Sequence, residues 1–377
     1  MPPRPSRRPL HEMVEPGRQS NAAIRSFSVT VSFRKSRCNV PTSKRLAIWT
    51  STILFLVPIA AAQKYRITDL GTFPGGAVSQ GQAVNTSGQV AGYARFANYN
   101  AHGFLWSEHT GLLDLGAIPP ESNFSVGQAI NSFGEVAGYS DYNDLGQENA
   151  VLWSNGTIHN LGTLAGGTDS QANGINDAGQ IAGFSNGTNL SMQAVIWNSQ
   201  GGVQNLGTLQ GGYYSQGIAI NIAGQVAGFS NAADTQWHGF IWTPSGGMQA
   251  LPNLPGASSA SANGIDDVGE VVGGSGNYAV LWHNDKNHTA ESLGVLAGGG
   301  WSSAFAMNDV GQVVGWSGYA AFVWSREKGM QNLNTLIPSN SGWTLTMATG
   351  INVRGQIAGE GDINGEQHGF LLTPIAQ

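Results

Sequence analysis

A nine-residue phrase that recurs seven times constrains the fold of this 377-residue sequence more than any other feature. It reads "INDAGQIAG" from Ile175, and its copies differ mainly at the third and fourth positions. The glycines at the centre of the seven copies are Gly88, Gly134, Gly179, Gly224, Gly269, Gly311 and Gly355, which are 46, 45, 45, 45, 42 and 44 residues apart. Such a period indicates an array of supersecondary units that bury their apolar faces only against one another.

The phrase is interpreted as a structural turn rather than as a metal-binding loop. Its first polar position is an amide in six copies and an acid in one: Asn85, Asn131, Asn176, Asn221, Asp266, Asn308 and Asn352. The position that follows varies among Thr, Ser, Asp, Ile and Val, whereas a calcium loop needs carboxylates at fixed offsets. A short side chain can bond its own backbone, and Gly can take the left-handed conformation of a bulged hairpin. We therefore expect turn glycines, no metal and no cofactor.

Each repeat contains four strand-like segments separated by turn residues. In the first repeat they are "SQGQAVN" from Ser79, "GQVAG" from Gly88, "HGFLW" ending at Trp106 and "GLLDLG" from Gly111. Four antiparallel strands in about 45 residues match one blade of a β-propeller, whereas the coils of a parallel β-helix are shorter. The sequence therefore predicts an all-β fold, a seven-bladed β-propeller with four antiparallel strands per blade, over residues 63–377.

The two ends of the array predict how the ring closes. The array begins with a segment of the fourth type, "YRITDLG" from Tyr65, and ends with one of the third type, "HGFLLTP" from His368. The last blade therefore lacks its outer strand, which the N-terminal strand can supply. This arrangement makes the segments rich in small residues the innermost strands, around the central channel.

Residues 1–62 are predicted to be a leader with a signal peptide. Lys44 and Arg45 precede an apolar run from Leu46, and small residues follow up to Ala62, so cleavage is expected between Ala62 and Gln63. A membrane anchor is the alternative, but the run of about 17 residues is short for a span. Residues 1–39 are interpreted as an over-extended start. We expect no stable membrane span after cleavage.

Charge and cysteine content limit the possible partners. Of the 17 Lys and Arg residues ten lie in residues 1–62, which hold only two of the 23 acids, so the remainder carries seven basic and 21 acidic residues and a formal charge of −14. Such a surface repels phosphate backbones, so no nucleic acid is expected. The sole cysteine, Cys38, lies in the leader, and the rest of the chain must fold without disulfides.

The repeat resembles the HAF-type bacterial extracellular repeat family. The residues that carry the resemblance are "NLGTLAGG" from Asn160, "INDAGQIAG" from Ile175 and "HGFIW" from His238, and similar matches cover residues 63–377. The resemblance implies export from a bacterial cell and a propeller-like fold, and it implies no particular activity. The expected location is secreted, periplasmic or on the cell surface.

Candidate binding residues are predicted on the face that carries the loops between second and third strands and the connections between blades. These segments vary most in sequence, and variable loops on a rigid scaffold are where binding is usually found. Aromatic rings with an apolar body and a polar tip suit sugars or peptides. The predicted ligand-binding residues are Tyr99, Tyr142, Tyr213, Tyr214, Trp237 and Trp301.

Catalysis is the less favoured alternative. A glycosidase needs two carboxylates about 5–10 Å apart, and the carboxylates outside the repeat pattern are Asp141, Asp144, Glu148, Asp234, Glu360, Asp362 and Glu366. Three histidines share the start of the third strand, His102, His238 and His368, where a structural role is favoured over metal binding. No catalytic residue is assigned.

The resulting hypothesis is a monomeric, secreted, non-catalytic binding scaffold for a polysaccharide or a surface protein. A carbohydrate-active hydrolase or lyase that uses loop carboxylates is the second hypothesis. A purely structural cell-surface protein is the third.

Overall fold

The computed structural model describes residues 65–118, 122–141, 147–188, 190–199 and 201–375. The predicted leader, its cleavage site and the predicted start lie outside these residues. Within the described ranges the chain forms 28 strands in seven four-stranded antiparallel sheets. This is the seven-bladed β-propeller that the repeat predicts.

We number the blades 1 to 7 along the chain and name the four strands of each blade from the channel outward. The inner strands are Ser79–Val84, Ser125–Ile130, Ser170–Ile175, Ser215–Ile220, Ala260–Ile265, Ser302–Met307 and Trp343–Ile351. The second strands are Val90–Arg95, Val136–Asp141, Ile181–Asn186, Val226–Asn231, Val271–Ser275, Val313–Ser317 and Ile357–Ile363. The third strands are Ala101–Ser107, Glu148–Ser154, Met192–Trp197, Trp237–Thr243, Tyr278–Trp282, Ala320–Ser325 and Glu366–Pro374. The outer strands are Gly111–Asp114, Thr157–Asn160, Val203–Gly207, Gly247–Ala250, Ala290–Gly294, Gly329–Asn332 and, for blade 7, Tyr65–Asp69.

The N-terminal strand closes the ring, as the ends of the array predict. Tyr65–Asp69 pairs antiparallel with the third strand of blade 7, with Tyr65 opposite Pro374 and Asp69 opposite Phe370. Tyr65 is buried, and its backbone N–H donates to the carbonyl of Leu336 at 2.9 Å. A short 3-10 helix, Leu333–Thr335, leads from blade 6 into blade 7.

The blades pack face to face because the middle strands are apolar on both sides. Val90, Phe104 and Trp106 are buried in blade 1, and corresponding side chains are buried in the other blades. Gly92 shows why a small residue is needed within the second strand: a Cβ there would lie 2.0 Å from the carbonyl oxygen of Gln80 and 2.7 Å from Phe104. The missing side chain leaves room for the Phe104 ring between the strands.

The repeated turns connect the inner and second strands, and we call the face on which they lie the turn face. Their seven central glycines all have positive φ, between 72° and 90°. Both the oxygen and the nitrogen of the Asn85 side-chain amide form hydrogen bonds. The oxygen accepts from the N–H groups of Ser87 and Gln89, both at 3.0 Å. The nitrogen donates to the side chain of Gln89 at 2.8 Å and, across the blade boundary, to the carbonyl of Asn131 at 3.1 Å.

The bond across the blade boundary recurs in four further blades. At 2.8 to 2.9 Å it joins Asn176 to Asn221, Asn221 to Asp266, Asn308 to Asn352, and Asn352 to Asn85. In blade 5 the carboxylate of Asp266 accepts from the N–H groups of Val268 and Glu270 but carries no donor. Burial raises the pKa of Asp266 to about 6, and the charges of Glu270 and Asp309 act in the same direction.

Candidate functional site

One repeat position near the end of each second strand forms a ring on the opposite face, which we call the loop face. The residues at this position, in blade order, are Tyr93, Tyr139, Phe184, Phe229, Gly274, Trp316 and Glu360. Each pairs with an inner-strand residue, such as Phe229 with Gln216 and Gly274 with Ser261. Blade 5 is therefore the one blade of the ring without a side chain at this position.

A groove lies over blade 5, where the side chain is missing. Its cavity volume is about 470 Å³, within the usual range for small-molecule sites. It is lined by Phe229, Trp237, Ser259, Ala260, Ser261, Gly274, Gly276, Asn277, Trp301, Ser302, Ser303 and Trp316. The groove thus runs between the aromatic residues of blades 4 and 6.

The blade 4 wall is a cluster of three rings. Trp237 packs edge-on against Tyr214 and Phe229, with ring centroids 5.1 and 5.5 Å apart, and Tyr214 stacks on Phe229 at 6.2 Å. Burial raises the pKa of the Tyr214 hydroxyl, which also accepts a hydrogen bond from Gln216. Trp237 remains 42% exposed, so the cluster orients the indole and leaves part of it free for contact.

The blade 6 wall is built in the same way. Trp301 packs edge-on against Trp316 at 6.4 Å and against Tyr319 at 6.2 Å. Trp301 remains 43% exposed. Two indoles that are partly exposed therefore belong to opposite walls of one groove.

The floor of the groove is low because blade 5 is short and its side chains are small. Its second and third strands are joined by only Gly276 and Asn277, with a φ of 58° at Gly276. A Cβ at Gly274 would lie 3.3 Å from the Ser303 hydroxyl and 3.9 Å from that of Ser261. A larger side chain at residue 274 would therefore stand over the floor between the two walls.

The groove presents hydroxyl and amide groups without charge. None of the described residues that line it is an acid, a base or a tyrosine. In the loop that precedes Trp237, Asp234 is paired with His238 at 2.9 Å, and this hydrogen bond lowers the pKa of the Asp234 carboxyl. The site can thus stack on apolar faces and exchange neutral hydrogen bonds.

The predicted binding residues fall into three groups. Trp237 and Trp301 line the groove, and Tyr214 packs against Trp237 without lining the groove itself. Tyr213 is exposed beside Tyr214 without lining the groove, and Tyr99 is exposed in the loop of blade 1, with a φ of 68°. The sixth residue, Tyr142, lies outside the described residues.

Sequence reasoning missed three components of the groove: Phe229, Trp316 and Gly274. The first two belong to strands rather than to loops, and the third contributes by lacking a side chain. An alignment of the seven copies at the position after "AG" or "VG" would have shown Gly274 among aromatic residues.

The predicted catalytic candidates lie away from the groove lining. Asp141 pairs in register with Glu148 in blade 2, and Glu360, Asp362 and Glu366 lie on blade 7. Asp144 is outside the described residues. His102 and His368 bond Asp114 and Asp69 of the neighbouring outer strands at 2.9 and 3.0 Å. In the part of the chain that the structure describes, no three His, Cys, Asp or Glu side chains are grouped to hold a metal ion.

Structural similarity supports the fold. Virginiamycin B lyase from Staphylococcus aureus matches with a TM-score of 0.51 and 12% identity, over 83% of this chain and 99% of that chain. The extracellular domain of a hybrid two-component system from B. thetaiotaomicron matches with a TM-score of 0.50 and 11% identity, over 84% of this chain and 40% of that chain. At such identities the likeness shows the fold alone.

TolB from Acinetobacter baumannii is a weaker match, with a TM-score of 0.43 and 10% identity over 77% of this chain. The chain spans 64% of that TolB chain. No protein-family model and no curated protein sequence matches this chain. Among the described residues no helix has the length and apolar character needed to cross a bilayer. What is established is the class: a seven-bladed β-propeller.

Proposed function

We propose that this chain is an exported repeat protein of the HAF type and that it binds an uncharged carbohydrate, without catalysis, in the groove over blade 5. The observation that carries this proposal is the pair of partly exposed indoles, Trp237 and Trp301, above an uncharged floor of serine and asparagine. Export rests on the basic, apolar and small segments that precede Gln63 and on the resemblance of the repeat.

A neutral sugar fits this arrangement for two reasons. The apolar faces of a sugar ring can cover the exposed parts of Trp237 and Trp301, which buries apolar area on both partners. Its hydroxyl groups can exchange hydrogen bonds with Ser261, Ser303 and Asn277, which are all uncharged. An anionic ligand would find no lining cation in this site and would approach a chain of negative net charge.

Binding is favoured over hydrolysis because the groove lacks the required groups. Hydrolysis of a glycosidic bond needs an acid and a second carboxylate on either side of it. The described lining residues include no carboxylate. The pairs on blades 2 and 7 lie outside the groove, so the hydrolase or lyase hypothesis would need a second site.

The test is retention of the purified protein on a panel of immobilised neutral polysaccharides, with an assay of the flow-through for released sugar. We expect retention on one glycan without release. Trp237→Ala and Trp301→Ala should each weaken retention about 5- to 150-fold, since each removes about 1–3 kcal/mol of ring contact. Gly274→Phe should abolish retention by filling the groove, and Phe184 and Phe229 show that blades accept Phe at this position.

The matched control is Tyr99→Ala, which removes an exposed aromatic ring from the loop of blade 1 and should leave retention unchanged. Retention that survives both Trp237→Ala and Gly274→Phe would place binding elsewhere. Released sugar would favour the enzyme hypothesis, and no retention on any glycan would favour a protein partner or a structural role.

A further inference from the structure

Besides Gly274 in the groove, the chain departs from the repeat at a position that lines the central channel. Every inner strand carries a β-bulge at one position, occupied in blade order by Gln82, Gln128, Asn173, Ile218, Asn263, Phe305 and Thr349. Bulges re-aim side chains, and these seven residues line a cavity of about 480 Å³ in the channel. Five of them are polar, and Ile218 and Phe305 are apolar.

Three of the polar members of this set connect neighbouring blades. Asn173 donates to the carbonyl of Gly217 at 2.8 Å, and Asn263 donates to that of Ala304 at 2.8 Å. Thr349 donates to the carbonyl of Gly81 at 2.7 Å. Such a bond contributes about 0.5–1.5 kcal/mol. Ile218 and Phe305 can make no such bond and instead place apolar surface, half-buried, against the channel.

The two apolar residues lie beside the groove. They belong to blades 4 and 6 and flank Asn263 of blade 5, the blade over which the groove is open. Ser261 and Ser303 of the groove floor come two residues before Asn263 and Phe305 on the same inner strands, and the Ser303 hydroxyl is 3.5 Å from the Asn263 amide nitrogen. The floor of the groove therefore continues into the apolar side of the channel.

We propose that one ligand occupies both the groove and the channel. Its uncharged polar part lies in the groove, and an apolar group binds in the side of the central channel next to blade 5. The ligand class is a neutral glycoside whose aglycone is an aromatic ring or a short hydrocarbon chain. The aglycone contacts Ile218 and Phe305, and burial of its apolar surface adds affinity in proportion to the area removed from water. This inference rests on the proposed function for the sugar part, whereas the channel is tested separately.

The channel is tested with benzyl alcohol, which has no sugar, by NMR of protein labelled on the methionine methyl groups. Met307 and Met347 line the channel, whereas Met248 and Met330 lie on outer strands. We expect benzyl alcohol to shift the first pair of signals at millimolar concentration and to leave the second pair unchanged. No shift of Met307 or Met347 would overturn the proposal.

The variant for this test is Ile218→Asn combined with Phe305→Asn. Asparagine occupies this bulge in blades 3 and 5 and bonds the next blade there, so the substitution is compatible with the fold. The double variant should lose the benzyl alcohol shifts. Gln128→Asn, which changes a polar residue of blade 2 in the same channel, should keep them. Loss in both variants would contradict a role for the apolar pair.

The ligand class is tested with methyl and phenyl β-glycosides of glucose, galactose and mannose, by calorimetry. We expect the phenyl glycoside of one sugar to bind at least tenfold more tightly than its methyl glycoside, and the Ile218→Asn, Phe305→Asn variant to remove the difference without weakening the methyl glycoside. Equal affinities in the unmodified protein would overturn the inference and leave the groove proposal intact. Benzyl alcohol shifts without binding of any glycoside would support the apolar site and contradict the proposed function.

Discussion

The side chain that begins each turn on the turn face links neighbouring blades, and its chemistry explains the composition of this position. An amide accepts two hydrogen bonds within its own turn and still has two donors, one of which reaches the next blade, as in Asn85. A carboxylate can accept the same two hydrogen bonds within the turn, but it has no N–H to donate to the next blade. Asp266 therefore cannot donate to the next blade, and it lies next to the acidic side chain of Glu270; the bond is also missing at Asn131, whose amide nitrogen donates to Glu135.

Asp266→Asn should stabilise the protein at neutral pH by supplying the missing donor. The folded-state pKa of Asp266 is about 6 against an ordinary 3.8. Because folding raises this pKa, the associated stability is fully present below about pH 3.8 and is lost as the pH rises through about 6. The shift corresponds to on the order of 3 kcal/mol, which solvent at the channel mouth screens in part. We expect a gain of about 1–2 kcal/mol at pH 7.5 in urea denaturation, and a weaker pH dependence of stability below pH 6.

Asn221→Asp is the matched reverse change. The Asn221 amide nitrogen donates to Gln225 at 2.7 Å and to the carbonyl of Asp266 at 2.9 Å. The variant should lose stability at pH 7.5 and recover part of it as the pH falls from about 6 towards 3.8, the window of Asp266 at the equivalent position, because the new carboxyl is then protonated. If neither variant differs from the unmodified protein at pH 7.5, the amide ring does not contribute to stability.

At the scale of elements, the strand Tyr65–Asp69 holds the two ends of the array together through one large buried side chain. Tyr65 is 1% exposed and packs with Leu336, Ile337 and Leu345. Tyr65→Ala should lower the free energy of unfolding by about 3 kcal/mol through the cavity it leaves, measured as a shift in the urea midpoint. The neighbouring Arg66 is exposed and pairs with Glu108 only at 3.4 Å, so Arg66→Ala should cost less than about 1 kcal/mol.

A second control separates ring packing from hydrogen bonding in this strand. The Tyr65 hydroxyl is buried without a hydrogen-bond partner, and burial raises its pKa to about 12. Tyr65→Phe keeps the ring and removes the hydroxyl, so it should be at least as stable as the unmodified protein. A loss in Tyr65→Phe as large as in Tyr65→Ala would show that the hydroxyl, rather than the packed ring, carries the effect.

The strands were predictable from the sequence because every element recurs seven times. A strand pattern that is weak in one copy is therefore supported by the same pattern at the same position in the other copies. The closing strand was predictable because the segments at the two ends are of complementary types. The bond from Asn85 to Asn131 was not predictable, since hydrogen bonds within the turn already account for an amide there. The groove was missed in part because Gly274 acts through an absent side chain, which only comparison among the copies reveals.

Over the whole molecule, several departures from the repeat lie next to one another in blades 4 to 6. Gly274 replaces a ring residue on the loop face, Ala260 replaces the serine that begins most inner strands, and Ile218 and Phe305 replace polar residues in the channel. Asp266 replaces the amide on the turn face of the same sector. Blade packing alone does not require these changes to be adjacent. Their proximity places them around the groove and the adjoining side of the channel, which supports the proposal that binding uses this sector of the ring.

Because an N-terminal strand can close a blade by pairing alone, the chain ends could be moved from blade 7 to another blade by circular permutation. In blade 6 the third and outer strands are joined by an exposed turn at Arg326–Lys328. A permuted chain that begins at Lys328, links Ile375 to Tyr65 through about four residues and ends at Glu327 would close blade 6 by an N-terminal strand. All four strands of blade 7 would then follow one another along the chain.

This permuted chain should fold to the same ring, because each blade keeps its four strands and only two exposed turns change. We expect an unchanged far-UV circular dichroism spectrum and a free energy of unfolding within about 2 kcal/mol of that of residues 65–375, since the connections differ mainly in loop-closure entropy. A chain opened between Ala304 and Phe305, inside an inner strand, should fail to fold because it breaks a paired strand at the channel. If the first permuted chain is also unfolded, closure depends on the native connection from Asp69 into blade 1, where Leu70 and Phe73 are buried, rather than on strand pairing.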